Sequence, residues 1–192
     1  MTQRLIYVIG PSGAGKDSVL DGLRKNWGDL PPAHWARRTI TRDSHTGEAH
    51  ESVSTAEFDH LLAQGAFALH WQANGLCYGV RHGELTPLDS GHCVLLNGSR
   101  AHLSTLLSVY PQASVVLITA SAQALHQRLM SRSRETQQEI NQRLAREITY
   151  DLPDHTLHVH NNGALEDAVH TLRQGLEKRL VMYSGQNTGA QD

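Results

Sequence analysis

The chain is poor in lysine, in cysteine and in long apolar runs, and each shortage closes off a class of protein. Of its 17 basic residues only Lys16, Lys25 and Lys178 are lysines, so 14 are arginines, set against 19 carboxylates. The net charge of −2 argues against a nucleic-acid partner, because proteins that meet phosphate backbones carry a basic excess. The arginine bias suits phosphate handling, since a guanidinium grips phosphate oxygens with a planar fork; a GC-rich genome produces the same bias. Two cysteines, Cys77 and Cys93, stand without CxxC spacing. That excludes a disulfide framework and a thiolate metal site, and makes the reducing cytoplasm the default. No apolar run approaches the ~20 residues that span a bilayer. The opening MTQRLIYVIGPSG enters a short apolar strand rather than a signal peptide, so no membrane association is expected. No fixed-period repeat or low-complexity tract is present.

What the chain does have is an ordinary globular balance, 39% apolar and 19% charged over 192 residues. That length fits one α/β domain, able to bury most of its apolar surface without staples. The domain is expected over residues 1–183, with a polar tail over 184–192 that frays. Apolar runs bounded by turn residues predict buried parallel strands at Leu5–Ile9, Val94–Leu96 and Val115–Thr119, with a weaker one at Leu157–Val159. Helical spacing of apolar residues predicts helices over Lys16–Trp27, Ser54–Leu62, Ser121–Met130, Gln137–Ile148 and Leu165–Leu180, the second opened by Ser54 and Glu57 in capping-box spacing. This alternation implies a parallel sheet flanked by helices. Residues 31–53 and 131–136 carry no apolar period. Polar segments of this kind inside a compact domain tend to be functional.

Chemistry enters at Gly10-Pro11-Ser12-Gly13-Ala14-Gly15-Lys16-Asp17-Ser18, directly after the first strand and before the first helix. Gly10, Gly13 and Gly15 permit backbone conformations that let successive N–H groups turn inward on phosphates. The following helix adds its positive end, and Lys16 reaches the β- and γ-phosphates. This is the strand–loop–helix context of a P-loop, and it implies ATP as the bound nucleotide. The residue after the lysine is usually Ser or Thr, which ligates Mg²⁺; here it is Asp17. Three readings stand: Asp17 ligates Mg²⁺ directly, holds it through water, or is replaced in that role by Ser18.

With GPSGAGK so placed, the chain resembles the guanylate kinase family over roughly residues 4–180. Thr39-Ile-Thr-Arg42 followed by Gly47-Glu48, Trp71 with Gly75-Leu-Cys-Tyr78-Gly79, and the strand ending at Asn97 resemble that family's acceptor-binding motifs, in order. Arg128-Leu-Met-Ser-Arg132 and Asn141-Gln-Arg143-Leu144 resemble its lid and the helix after it. The resemblance implies a P-loop sheet with a small acceptor-binding segment at about 31–82 and a lid at about 128–146. It also implies phosphoryl transfer from ATP.

Departures from the family pattern fall where it reads its acceptor. His70 stands where a Glu reads guanine, His45 where a second clamp Arg lies, and Asn97 where an Asp ends the pocket strand. The segment near His50–Val53, which carries a phosphate-binding Tyr in the family, is shortened. A site built to hydrogen-bond a base rejects analogues that leave its polar groups unpaired, so losing those readers together argues against guanine. The combination GPSGAGKDS, ITRD and NGSRAHL is similar to a bacterial branch in phosphonate degradation. Enzymes of that branch phosphorylate the anomeric phosphate of ribose 1,5-bisphosphate, giving 5-phosphoribosyl 1-diphosphate (PRPP) and ADP. The other readings are a nucleoside-monophosphate kinase of the guanylate type and a non-catalytic scaffold, against which Lys16 and the lid arginines speak. The ribose 1,5-bisphosphate reading implies Arg38, Arg42, His70, Tyr78, Asn97 and Arg100 at the acceptor and Arg132 and Arg143, with Arg134 or Arg146, at the transferring group. Arg143 and Arg146 also stand at helical spacing from Glu139 and Glu147, as in a solvated face. His155, His158 and His160, with Asp154, have the residue types of a metal site. Alternation along a strand leaves His155 off the shared face, so solvent-facing histidines are expected.

Overall fold

Apolar residues run without alternation through Leu5–Ile9 (β1), and all five are buried, as in a strand covered on both faces. The structure, a computed structural model, describes residues 4–42, 50–131 and 151–186. With β2 (Ala33–Trp35), β7 (Cys93–Asn97), β8 (Ser114–Thr119) and β9 (Leu157–His160), β1 forms a sheet of order β2-β7-β1-β8-β9. The β2–β7 and β8–β9 pairs are parallel. The four expected strands are therefore present, the last three longer by one or two residues. The edge strand β2 is new: three half-buried residues are too few to show a period.

The helices are α1 (Lys16–Lys25), α2 (Thr55–Ala63), α3 (Leu103–Val109), α4 (Ala122–Ser131) and α5 (Leu165–Gln186). The first buries Val19, Leu20 and Leu23, the stripe its sequence predicts, and ends at Asn26, whose N–H bonds back to Gly22 and Leu23. Ser54 caps α2 by accepting from the Glu57 N–H at 3.1 Å, the bond foreseen from their spacing. By contrast, α5 runs six residues beyond its expected end at Leu180 and takes in residues 184–186 of the expected tail. Extending a formed helix adds a hydrogen bond per residue, and one Gly185 costs only about 1 kcal/mol. The expected helix over Gln137–Ile148 lies outside the described residues.

A second sheet, of order β4-β3-β6-β5, is built from β3 (Arg38–Ile40), β4 (His50–Ser52), β5 (Phe67–Ala73) and β6 (Leu76–Arg81). Its β5–β6 hairpin turns through Asn74 (φ 52°) and Gly75 (φ 74°), the mirror-type two-residue turn whose twist matches its strands. On one face Phe67 stacks on Phe58 of α2 at 4.7 Å between centroids, and Val53 completes a small core. Residues 31–53, which carry no apolar period, thus supply three short strands to the two sheets.

The chain forms two compact units. One comprises residues up to Tyr7 with Pro31–Ser114; the other comprises Val8–Leu30 with the chain from Val115 onward. In the second, α5 packs on α1 and β9. There Arg173 of α5 donates to the Asn26 carbonyl (2.9 Å) and to Asp29 (2.9 Å), closing the end of α1.

Candidate active site

The glycine loop leaves β1 under tight constraint. Gly10 has φ 153°, and a Cβ there would sit 2.0 Å from the Ile118 carbonyl oxygen of β8. Gly15 is the N-cap of α1 with φ 83°, and a Cβ there would fall 2.5 Å from Asn161 Nδ2. Only glycine meets both demands. No side chain caps the α1 N-terminus, so its first amides keep the positive dipole end toward the loop. Lys16 Nζ donates to the Gly10 and Pro11 carbonyls at 3.0 and 3.1 Å, drawing its charge across the loop. Pro11 and Ser12 are half-buried, and Gly13 and Ala14 are buried. Asp17 and Ser18 are exposed in the first turn of α1. A cradle that a Cβ would fill, crossed by an ammonium, fits a polyphosphate. The exposed carboxylate and hydroxyl beside it are the hard oxygen donors Mg²⁺ takes.

Two residues that sequence reasoning did not assign to this loop hold it from below. The Ala14 carbonyl accepts from Asn161 Nδ2 at 2.9 Å and from Arg128 Nη1 at 3.4 Å. Arg128 Nη2 in turn donates to the Asn161 carbonyl at 3.0 Å, and the Asn161 N–H donates to Thr119 O at 2.8 Å. The available signal for Asn161 was its place at the C-terminal end of a sheet strand, where ligand sites of open α/β sheets collect.

In the other unit two of the acceptor candidates, Arg38 and Tyr78, lie on a run of stacked rings. The Arg38 guanidinium lies 5.9 Å from the Tyr78 ring centroid. Tyr78 lies parallel to Trp71, at 5.4 Å and 1°, and Trp71 lies against His102 at 5.4 Å and 28°. His102 Nδ1 is 3.4 Å from the Tyr7 hydroxyl, which accepts from the Ser99 N–H at 3.0 Å. The segment from Asn97 to His102 is pinned at its middle by this phenol. Asn97 ends β7 at 6% exposure, and the half-buried Arg100 opens a single 3₁₀ turn over Arg100–His102. Arg42 is half-buried, and its carbonyl accepts from the Ser52 hydroxyl. His70, by contrast, is exposed and pairs with Gly79 across the hairpin. Alternation puts it on the opposite face of β5 from Trp71, so it does not share the face of Tyr78.

Burial pushes the Tyr7 phenol up to about 12, so its hydrogen is retained. Burial, and secondarily the charge of His70, holds the His102 imidazole below its ordinary value. Beside this cluster, Arg81 forks onto both Glu51 oxygens at 2.8 Å each, and Thr39 Oγ1 donates to Glu51 at 2.6 Å. The Arg81 bonds hold the Glu51 carboxyl below the usual carboxylate range. This tie of β3, β4 and β6 had no sequence signature.

His45, Arg132, Arg134, Arg143 and Arg146 lie outside the described residues. His155, His158 and His160 are exposed, and among the described residues no group of His, Cys, Asp and Glu is set to hold a metal. Among the described residues, too, no helix is long and apolar enough to cross a membrane.

A parallel sheet flanked by helices, with a strand–glycine loop–helix crossed by a lysine, defines a protein of the P-loop nucleotide-binding class. Residues 2–179 match the family described as guanylate kinase, and the chain belongs to that family. It is 41% identical over 181 residues to a ribose 1,5-bisphosphate phosphokinase of Azotobacter vinelandii, covering 93% of this chain and 98% of that one. It is 42% identical over 175 residues to one from Pseudomonas paraeruginosa, covering 90% and 94%. A third relative of the same name, from a Janthinobacterium, is 43% identical over 165 residues; the match takes up 85% of this chain but 36% of that longer protein. Among solved structures, guanylate kinase from Anaplasma phagocytophilum shares the fold at a TM-score of 0.65 and 20% identity, over 92% of this chain and 85% of that one.

Proposed function

We propose that the protein transfers the γ-phosphoryl group of Mg·ATP to the anomeric phosphate of ribose 1,5-bisphosphate, giving PRPP and ADP in the cytoplasm. The observation that carries this reading is the near end-to-end similarity, at 41–42% identity, to two relatives bearing that enzyme name. The family's base-reading Glu is replaced by an exposed His70, which agrees with an acceptor that has no base.

A phosphate monoester has its second pKa near ~6 and is largely dianionic at neutral pH. Its oxygen therefore forms the new bond to the γ-phosphorus without a general base, while the bond from that phosphorus to the β-bridging oxygen breaks and ADP leaves. The work of the protein is to hold two polyanions together and to stabilise the charge on the group in transit. The loop amides from Gly10 to Ser18 cradle the donor phosphates, and Lys16 moves from the Gly10 and Pro11 carbonyls onto the β- and γ-phosphates. Asp17, directly or through water, or Ser18 in its place would hold Mg²⁺, which would neutralise charge on the polyphosphate. Arg38, Arg42 and Arg100 bind the acceptor's phosphates, with Tyr78 and Asn97 around its sugar, while His70, on the opposite face of β5 from Tyr78's partner Trp71, is left out of that pocket. Arg132 and Arg143 meet the transferring group from the lid, which also excludes water as a competing acceptor.

The test is ADP release with Mg·ATP, offering ribose 1,5-bisphosphate and GMP in parallel. Turnover with the sugar bisphosphate alone is expected. Turnover with GMP alone would overturn the proposal and return His70 to the role of a base reader.

A further inference from the structure

The Ala14 carbonyl is held by two side chains from outside the donor loop, and those groups have no assigned role. Asn161 is 4% exposed and spends each of its main-chain polar groups on fixing itself: its N–H on Thr119 and its carbonyl on Arg128. Its side-chain amide is then spent on Ala14, in a buried bond of 2.9 Å. Arg128 reaches the same carbonyl from the end of α4, so α4 and the turn after β9 meet on one peptide group, and β8 fixes that turn through Thr119.

The consequence follows from peptide geometry. A trans peptide sets its C=O and the next residue's N–H in opposite directions. Holding the Ala14 oxygen on Asn161 and Arg128 therefore directs the Gly15 N–H away from them. Gly15 can accept that orientation because its φ of 83° carries no Cβ penalty. The Gly10 and Pro11 carbonyls are held by Lys16, Pro11 also accepting from the Ala14 N–H at 3.3 Å. These oxygens, which would repel a polyphosphate, are thus occupied by donors, while the Gly15 N–H is turned away from the groups that hold Ala14.

We infer that Asn161 and Arg128 are positioning residues for the donor polyphosphate: they set the plane of the Ala14–Gly15 peptide without touching the nucleotide's base. This rests on the reading that the glycine loop binds the donor phosphates, and it is independent of which acceptor is used. The distinguishing feature is chemical. A positioning role acts on phosphates whether or not a base is attached, whereas a base contact acts only on a nucleotide.

The experiment is calorimetric titration of the full chain, Asn161→Ala and Arg128→Lys with ADP and, separately, with tripolyphosphate, each protein's thermal midpoint being recorded. Arg128→Lys keeps the charge but loses the fork that spans Ala14 and Asn161, and it carries the test if Asn161→Ala does not fold. Losing one buried donor predicts a drop in affinity of about tenfold, equal for ADP and tripolyphosphate. A lower thermal midpoint with unchanged affinities would overturn the inference and leave the pair purely structural. Loss of affinity for ADP but not for tripolyphosphate would overturn it too, in favour of a base contact. Failure of the unaltered protein to bind either ligand would instead strike the reading of the loop itself.

Discussion

On the proposed function, the two units handle phosphate by opposite means. On the donor side the recognition surface is backbone: a loop whose amides are aimed by glycine conformations, by one lysine and by bonds from beneath. On the acceptor side it is side chains, with Arg38 over Tyr78, Tyr78 on Trp71, Trp71 on His102, and a phenol pinning Ser99. Backbone recognition is indifferent to what the phosphates are attached to, which suits a donor common to many kinases. Side-chain recognition changes with each substitution, which suits an acceptor that distinguishes one enzyme from its relatives.

The contrast can be broken by experiment. The largest effect is expected on the donor side: Lys16→Ala should lower turnover by ~10³-fold or more, for any acceptor the protein uses, because the charge on the transferring group loses its nearest fixed counterpart. ADP release reads this directly. Substantial turnover remaining in the variant would mean that the loop does not carry the donor chemistry. A smaller and more selective effect is expected from Tyr7→Phe, which removes the oxygen held by the Ser99 N–H. Loss of one partly buried hydrogen bond is worth about 1 kcal/mol. Acceptor KM should rise roughly fivefold with ATP KM unchanged, and the thermal midpoint should fall by about 2–4 °C. Equal changes in both KM values would erase the division of labour drawn above.

The smallest effect concerns acid stability. Because Arg81 lowers the folded pKa of Glu51, its carboxylate stabilises the fold fully above the unfolded value of ~4.3. That contribution is lost as pH falls through the lower, folded value. Glu51→Gln should therefore be less stable at neutral pH by a margin that narrows as the pH drops below ~4, measured by denaturation at a series of pH values. A margin that stays constant with pH would mean that the pair contributes no charge interaction.

How much of this could be read from the sequence follows the same division. The glycine loop, β1 and α1 were legible because a backbone site demands particular residue types in an unbroken order. The strands β8 and β9 and the Ser54 cap were legible because period and capping are local. The second sheet was not: β3 and β4 have three residues each, too short for alternation, and they are paired by partners far along the chain. The ring stack was invisible for a related reason. Tyr7, the Trp71–Tyr78 hairpin and His102 come from three separate stretches, and only folding makes them neighbours. Arg128 illustrates a subtler limit. Its motif places it at the root of the lid, whereas its guanidinium serves the loop more than a hundred residues earlier.

The turn at Asn74 and Gly75 has a consequence for how the acceptor side can change over evolutionary time. Exposed hairpin tips are ordinarily where chains absorb insertions and deletions at little cost. Here both turn residues have positive φ, Ala73 stands opposite Leu76, and the count continues without slack to Trp71 opposite Tyr78. One inserted residue on either side of the tip would shift the pairing by one, and every side chain beyond it on that strand would exchange faces. The tip is therefore a frameshift point for the stack: point substitutions can drift around it, but its length is held fixed by an aromatic pair several residues away.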